Sequence, residues 1–221
     1  MNRLYDIVTF DCYGTLVDWE GGISHAFIEA AAEDGVRLTR EEILAMHAAI
    51  EPKVESESFR TYRDVLTETA RRMALEFGWA IDHPTARFLA ESLPGWSVFH
   101  DTRPSLQRLR DAGYRLGILS NVDNDLLCET MRGFDVGIEL VITAEQVRSY
   151  KPADPHFLTA RETIGESRWL HAAQSWFHDI VPATRLGIDS AWINRNQDAR
   201  GKDGAPKFEC LDLAALADEL C

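Results

Sequence analysis

Four groups of polar residues fall at or just beyond short apolar runs, and their types could together do covalent chemistry: Asp11, Ser120-Asn121, Lys151 and Ser175 with Asp179. The run Val8-Thr9-Phe10 ends in the lone carboxylate of Asp11, followed by the glycine-containing turn Cys12-Tyr13-Gly14-Thr15. A carboxylate at the carboxyl end of a strand in an open α/β sheet lies where such sheets bind ligands. An ammonium beside it favours the anion. A carboxylate, a hydroxyl, an ammonium and a second carboxylate at one edge would make a reactive site. Each position also has a plain reading. Asp11 could cap a turn, Ser120 could cap a helix, Lys151-Pro152 could be a solvated loop, and Asp179 could sit at a helix N-terminus favoured by the macrodipole. All four in order, one per βα unit, point instead to a single reactive edge. Cys12 is read as a small packed residue lining that edge rather than as a nucleophile.

The elements needed to position these groups are legible. Residues 5–10 read as a buried strand, and residues 20–34, 40–52, 58–78 and 84–92 as helices, with a capping box from Thr39 and Glu42 opening the second. About 75 residues of helix before the next strand is too long for an ordinary crossover. Residues 18–97 are therefore expected to form an inserted helical cap, and 1–17 with 98–221 the core. Strands are then expected at 115–121, within 137–143, at 168–173 and at 190–194, and helices at 105–112, 125–132, 154–164, 179–186 and 211–220. This alternation predicts the α/β class, with a parallel sheet covered on both faces. The polar stretch 195–207 is expected to be a mobile loop.

Composition narrows the partners. The 221 residues carry a net charge of −13, which argues against nucleic acid and anionic membrane surfaces. No apolar run is long enough to span a bilayer, and the start of the chain lacks the apolar stretch of a secretory leader. The four cysteines (Cys12, Cys128, Cys210, Cys221) show no metal-ligand spacing and are expected to be reduced thiols of a cytoplasmic protein.

The motifs Asp11-Cys12-Tyr13-Gly14-Thr15-Leu16, Ser120-Asn121, Lys151-Pro152 and Ser175-Trp176-Phe177-His178-Asp179 resemble the haloacid dehalogenase superfamily over the whole core. The resemblance implies a Rossmann-like core with an inserted cap. It makes Asp11 the nucleophile and Lys151 the group that holds its carboxylate. Phosphatases of that superfamily use Asp-x-Asp, whose second Asp protonates the leaving alkoxide, and they bind Mg²⁺ with acids of the fourth motif. Here the second Asp is Tyr13 and the first acidic position of the fourth motif is Gln174. Halide leaves without a proton, so displacing it from carbon needs neither acid nor metal. The pattern resembles the L-2-haloacid dehalogenase branch, which implies no cofactor, a small 2-haloacid carboxylate as substrate, and a homodimer as a common form.

That branch implies attack by Asp11 on C2 of the substrate, with inversion. Water activated near Asp179 then hydrolyses the aspartyl ester. Thr15, Ser120 and Asn121 are expected to hydrogen-bond the substrate carboxylate or the nucleophile. Tyr13, Cys12, Trp19, Ser175, Trp176 and His47 are expected to line the substrate site. The chain departs from the branch in three places. It has no Arg across 41–53 to face the halide, His47 falling near that place with Arg60 and Arg63 as alternatives. The Tyr six residues after the motif Lys is Phe157, and the fourth-motif Asn is Trp176, with His178 next to Asp179. A phosphatase with a degraded magnesium site and a silent binding protein are the competing readings.

Overall fold

The structure, a computed structural model, describes residues 3–221; Met1 and Asn2, the first positions of the expected core segment, lie outside the described residues. The chain divides into two units. One runs to Val17 and resumes over Val98–Asn121 and Met131–Cys221; the other comprises Asp18–Ser97 and Val122–Thr130.

The first unit is built on strands β1 (Ile7–Phe10), β2 (Arg115–Ser120), β3 (Leu140–Thr143), β4 (Trp169–Ala173), β5 (Asp189–Ile193) and β6 (Phe208–Cys210). They form one sheet in the order β3-β2-β1-β4-β5-β6, every pair parallel. Helices lie on both faces, which makes this the α/β arrangement read from the alternation of elements. Helices α5 (Thr102–Asp111) and α10 (Leu213–Leu220) pack on one another, and α8 (Pro155–Ile164) packs on β2 and β3. Because both faces are covered, β1 is buried along its whole length, and such strands read as apolar runs rather than alternating ones. A buried cluster joins Ile7, Leu119, Ile142 and Phe157 across three strands and a helix. The sheet order reverses direction about β1, between β2 and β4, which creates a crevice at the carboxyl ends of these central strands.

Two elements were not expected. Helix α7 (Ala144–Val147) is a single turn between β3 and Lys151. Strand β6 is a three-residue edge strand with a charged Glu209 at its centre, too short for a hydrophobic pattern. One expected helix is altered. The stretch after β4 opens as a π turn over Trp176–Ile180 before α9 (Val181–Arg185). Ser175 causes this. Its side chain accepts from His178 N–H at 3.1 Å, and its carbonyl accepts from both Asp179 and Ile180 N–H at 3.2 and 3.3 Å. Pro182, which has no N–H, is tolerated in the first turn of α9.

The second unit is helical: α1 (Trp19–Glu33), α2 (Arg40–Glu55), α3 (Tyr62–Glu76), the short α4 (Phe88–Ser92), and α6 (Asn124–Met131), most of which joins it from the chain between β2 and β3. The Thr39–Glu42 capping box starts α2, with Glu42 N–H 3.3 Å from Thr39 Oγ1 and Thr39 N–H 2.9 Å from Glu42 Oε2. The buried carboxylate of Asp123 accepts from Tyr62 and Arg63 N–H at 2.8 and 2.9 Å, supplying partners to a helix start that otherwise has unpaired donors. Phe27 packs edge-on against Phe88 at 5.0 Å between ring centres. Gly22 lies so close to the Trp96 ring that a Cβ there would come within 2.3 Å of it.

Candidate active site

Asp11 follows β1 directly. Its N–H continues the ladder to Ala172 O at 3.1 Å, and the chain then turns through Gly14 at φ +99°, a conformation natural to glycine. That turn returns Thr15 under the carboxylate, where Thr15 Oγ1 donates to Asp11 Oδ2 at 2.9 Å. Gln174 N–H in turn donates to Thr15 Oγ1 at 2.9 Å, linking the turn after β1 to the turn after β4. Arg195 holds the turn from behind: its guanidinium donates to Thr15 O at 2.9 Å, pairs with the buried Asp101, and lies over the Phe99 ring.

Lys151 is fully buried and spends its three donors on Asp11 Oδ1 at 2.9 Å, Asp179 Oδ1 at 2.7 Å and Leu119 O at 2.9 Å. Asn121 sets its backbone, donating to Lys151 O at 3.1 Å and accepting from Lys151 N–H at 2.7 Å. Burial works against the ammonium, yet the two carboxylates outweigh it and raise its pKa. Burial likewise disfavours ionised Asp179, but Lys151 and His171 hold that carboxyl well below the usual range. Asp11 has less help. Burial raises its pKa, opposed by Lys151 and reinforced by the negative charge of Asp179. Burial also pushes the Cys12 thiol well up, with the Asp11 charge adding to it, so that side chain stays protonated and packed.

Asp11, Thr15, Lys151 and Asp179 are thus joined through direct hydrogen bonds, with Asn121 one bond further out. Ser120 is buried at the end of β2 with its Oγ unpartnered, and its carbonyl lies 3.2 Å from His156 Nε2. Tyr13 is half-buried in the turn after Asp11. Ser175 Oγ is taken up by His178, whose Nδ1 lies 3.1 Å away. Trp176 packs edge-on against Trp192, donates to Lys202 O at 2.9 Å, and covers Gly201 and Gly204. The loop expected over 195–207 is irregular up to β6 and is fastened by that indole. Trp19 and His47 belong to the helical unit, where their rings meet at 5.5 Å, and His47 Nε2 lies 3.5 Å from Glu51 Oε1. Arg60 and Arg63, also in that unit, pair with Glu57 and Asp125.

Three polar residues inside apolar strands and helices escaped the sequence reading. Thr9 and His171 are fully buried neighbours on β1 and β4, with Thr9 Oγ1 2.8 Å from His171 Nδ1 and His171 Nε2 2.9 Å from Asp179 Oδ1. The signal available was a threonine and a histidine in runs otherwise fit for a sheet interior, where a polar group is costly unless bonded. His156, buried on α8, is the third. Burial first, then the Lys151 ammonium, lowers its pKa to about 3.

The unfolded chain therefore takes a proton at His156 below about pH 6.5, while the folded one does not until about pH 3. Its contribution to stability is complete above pH 6.5 and is lost on acidification through that window, by up to about 5 kcal/mol. A His156→Gln variant is expected to lose less stability than the parent between pH 6.5 and 4, read as urea midpoints. Equal losses in both proteins would count against this origin.

The donor set does not fit a magnesium ion. Gln174 replaces the further acid, its N–H bonds Thr15, and its carbonyl accepts from Trp192 Nε1 at 2.8 Å. Lys151 already occupies one oxygen each of Asp11 and Asp179. Among the described residues no group of three His, Cys, Asp or Glu side chains could hold a metal. Nor, among them, is any helix long and apolar enough to cross a membrane.

The profile of haloacid dehalogenase-like hydrolases matches residues 5–175. The chain belongs to this family. A curated relative, the (S)-2-haloacid dehalogenase H-109 of Pseudomonas putida, is 26% identical over 235 residues covering 96% of each chain. The haloacetate dehalogenase H-2 of Moraxella sp. (strain B) is 26% identical over 86% of each chain. In fold, the hydrolase is similar to the L-2-haloacid dehalogenase of Xanthobacter autotrophicus solved with chloropropionic acid covalently bound (TM-score 0.81, 18% identity, 97% of this chain and 98% of that one).

Proposed function

We propose that this hydrolase dehalogenates short 2-haloacids through an aspartyl ester, without a metal. The observation that carries the reading is the Asp11–Lys151–Asp179 cluster: a buried nucleophilic carboxylate held by an ammonium at 2.9 Å, with Tyr13 where a phosphatase needs its acid. The curated dehalogenase relatives support it.

In the first step one Asp11 oxygen bonds to C2 as the carbon–halogen bond breaks, and halide leaves with the bonding pair. In the second, water attacks Asp11 Cγ and gives its proton to Asp179. The oxyanion formed on Asp11 is met by Lys151 Nζ or Thr15 Oγ1, donors already in place. Collapse breaks the Cγ–alkoxy bond, the alkoxide takes up the proton held on Asp179, and the second proton of the water, left on the Asp11 carboxyl, passes to solvent as the 2-hydroxy acid departs, restoring both carboxylates.

Halide release from (S)-2-chloropropionate in the presence of EDTA, with (R)-lactate as product, is the expected result. Magnesium-dependent release of p-nitrophenol from p-nitrophenyl phosphate, with no halide released, would replace this reading by a phosphatase.

A further inference from the structure

Asp179 is bonded unevenly. Its Oδ1 meets Lys151 Nζ at 2.7 Å and His171 Nε2 at 2.9 Å, while its buried Oδ2 has no hydrogen-bond partner. An ionised carboxylate only accepts, so the imidazole proton between them sits on Nε2. In the neutral ring the other nitrogen accepts. An indole N–H only donates, and Trp169 Nε1 donates to Thr9 Oγ1 at 2.7 Å, leaving the Thr9 hydrogen free to go to His171 Nδ1 at 2.8 Å. The line Trp169–Thr9–His171–Asp179 therefore runs in one direction. The ring itself is clamped, with Phe157 standing edge-on at 5.2 Å and 87°.

From this we propose that His171 is a positioning residue for Asp179: it pins Oδ1 in the interior of the sheet, so that Oδ2 is the atom that takes the proton from the hydrolytic water. Lys151 cannot do this alone. Its ammonium is a rotatable donor shared between two carboxylates, whereas the imidazole is a planar donor fixed at both nitrogens. A partial turn of the Asp179 carboxylate about Cβ–Cγ would lose both bonds to the inward oxygen, and the ring resists that turn. The proposal rests on the ester mechanism above and assigns His171 to its second step only.

Two measurements test it. In the first, His171→Leu, His171→Asn and Thr9→Val proteins are mixed with (S)-2-chloropropionate and followed by quenched-flow and intact mass. Ester formation is expected to stay within about twofold of the parent, while ester hydrolysis slows roughly 10- to 100-fold in His171→Leu. The Asp11 ester then accumulates, kcat and KM fall together, His171→Asn recovers part of the rate, and Thr9→Val shows a smaller effect on the same step. Equal slowing of both steps, or of neither, overturns the proposal. The second needs no substrate: nitrogen NMR of the imidazoles at pH 7. His171 is expected to carry a proton on Nε2, with that proton signal displaced in Asp179→Asn. A ring with no proton on Nε2 overturns the proposal even if the parent proves inactive on haloacids, an outcome that by itself refutes only the ester reading.

Discussion

Replacing Asp11 by asparagine is expected to lower halide release by about 10⁴-fold or more, since the other carboxylate of the cluster, Asp179, is held in the interior by Lys151 and His171. The same change is expected to leave the fold intact and stability unchanged or slightly raised. Asp11 is the carboxylate whose ionisation burial resists, because Lys151 is shared with the better-held Asp179. An amide of the same shape removes that strain: its one oxygen still accepts from Lys151 Nζ, and its NH2 donates to Thr15 Oγ1, where the carboxylate accepted from it. Activity sites commonly trade stability for reactivity in this way. Turnover of the parent in ¹⁸O-water complements the variant: isotope is expected in the Asp11 carboxylate, as water attacks Cγ rather than C2. Label found only in the product, over a single turnover with enzyme in excess, would exclude the ester.

Lys151→Met is expected to be the most damaging substitution for the fold. It keeps the bulk of the side chain but strands Asp11 and Asp179, both buried and both formerly bonded to the same ammonium. Removing one partner from a buried charge cluster costs about 3–5 kcal/mol. For a chain of this size that is a fall in Tm of roughly 10 °C. The loss has a pH signature. Without the ammonium, burial and mutual repulsion raise the native carboxyl pKa values above those of the unfolded chain, so the folded variant binds protons more readily. Its stability relative to the parent therefore recovers as pH falls, and the deficit is larger at pH 8 than at pH 5. Urea unfolding at both values checks this; an equal deficit at the two would mean that lost packing, not charge, is responsible.

How much of this was legible before the structure follows from what each residue is for. Asp11, Lys151 and Asp179 stand at ends of apolar runs, where the sheet's direction already predicts convergence, and they do converge. The sheet itself could be read from runs such as Val8–Phe10 and Leu116–Leu119. Side chains that act sideways across the sheet could not. The pairing of Thr9 with His171 depends on register between β1 and β4, which are 162 positions apart at that point. The π turn was hidden because Ser175 uses one carbonyl twice, an event of main-chain geometry that leaves no trace in hydrophobic spacing. Trp176 reads equally well as a lining aromatic, and only the approach of Gly201 and Gly204 to its ring identifies the surface it covers.

That indole has a mechanical consequence. It sits in the same π turn as Asp179, three residues upstream, while its far side rests on two glycines where an added Cβ would come within 2.5 Å of the ring. The 195–207 excursion and Asp179 are therefore two ends of one lever. Loop grafts that keep both glycines leave the fulcrum undisturbed, whereas a single methyl at either of them presses on the chemistry from outside it.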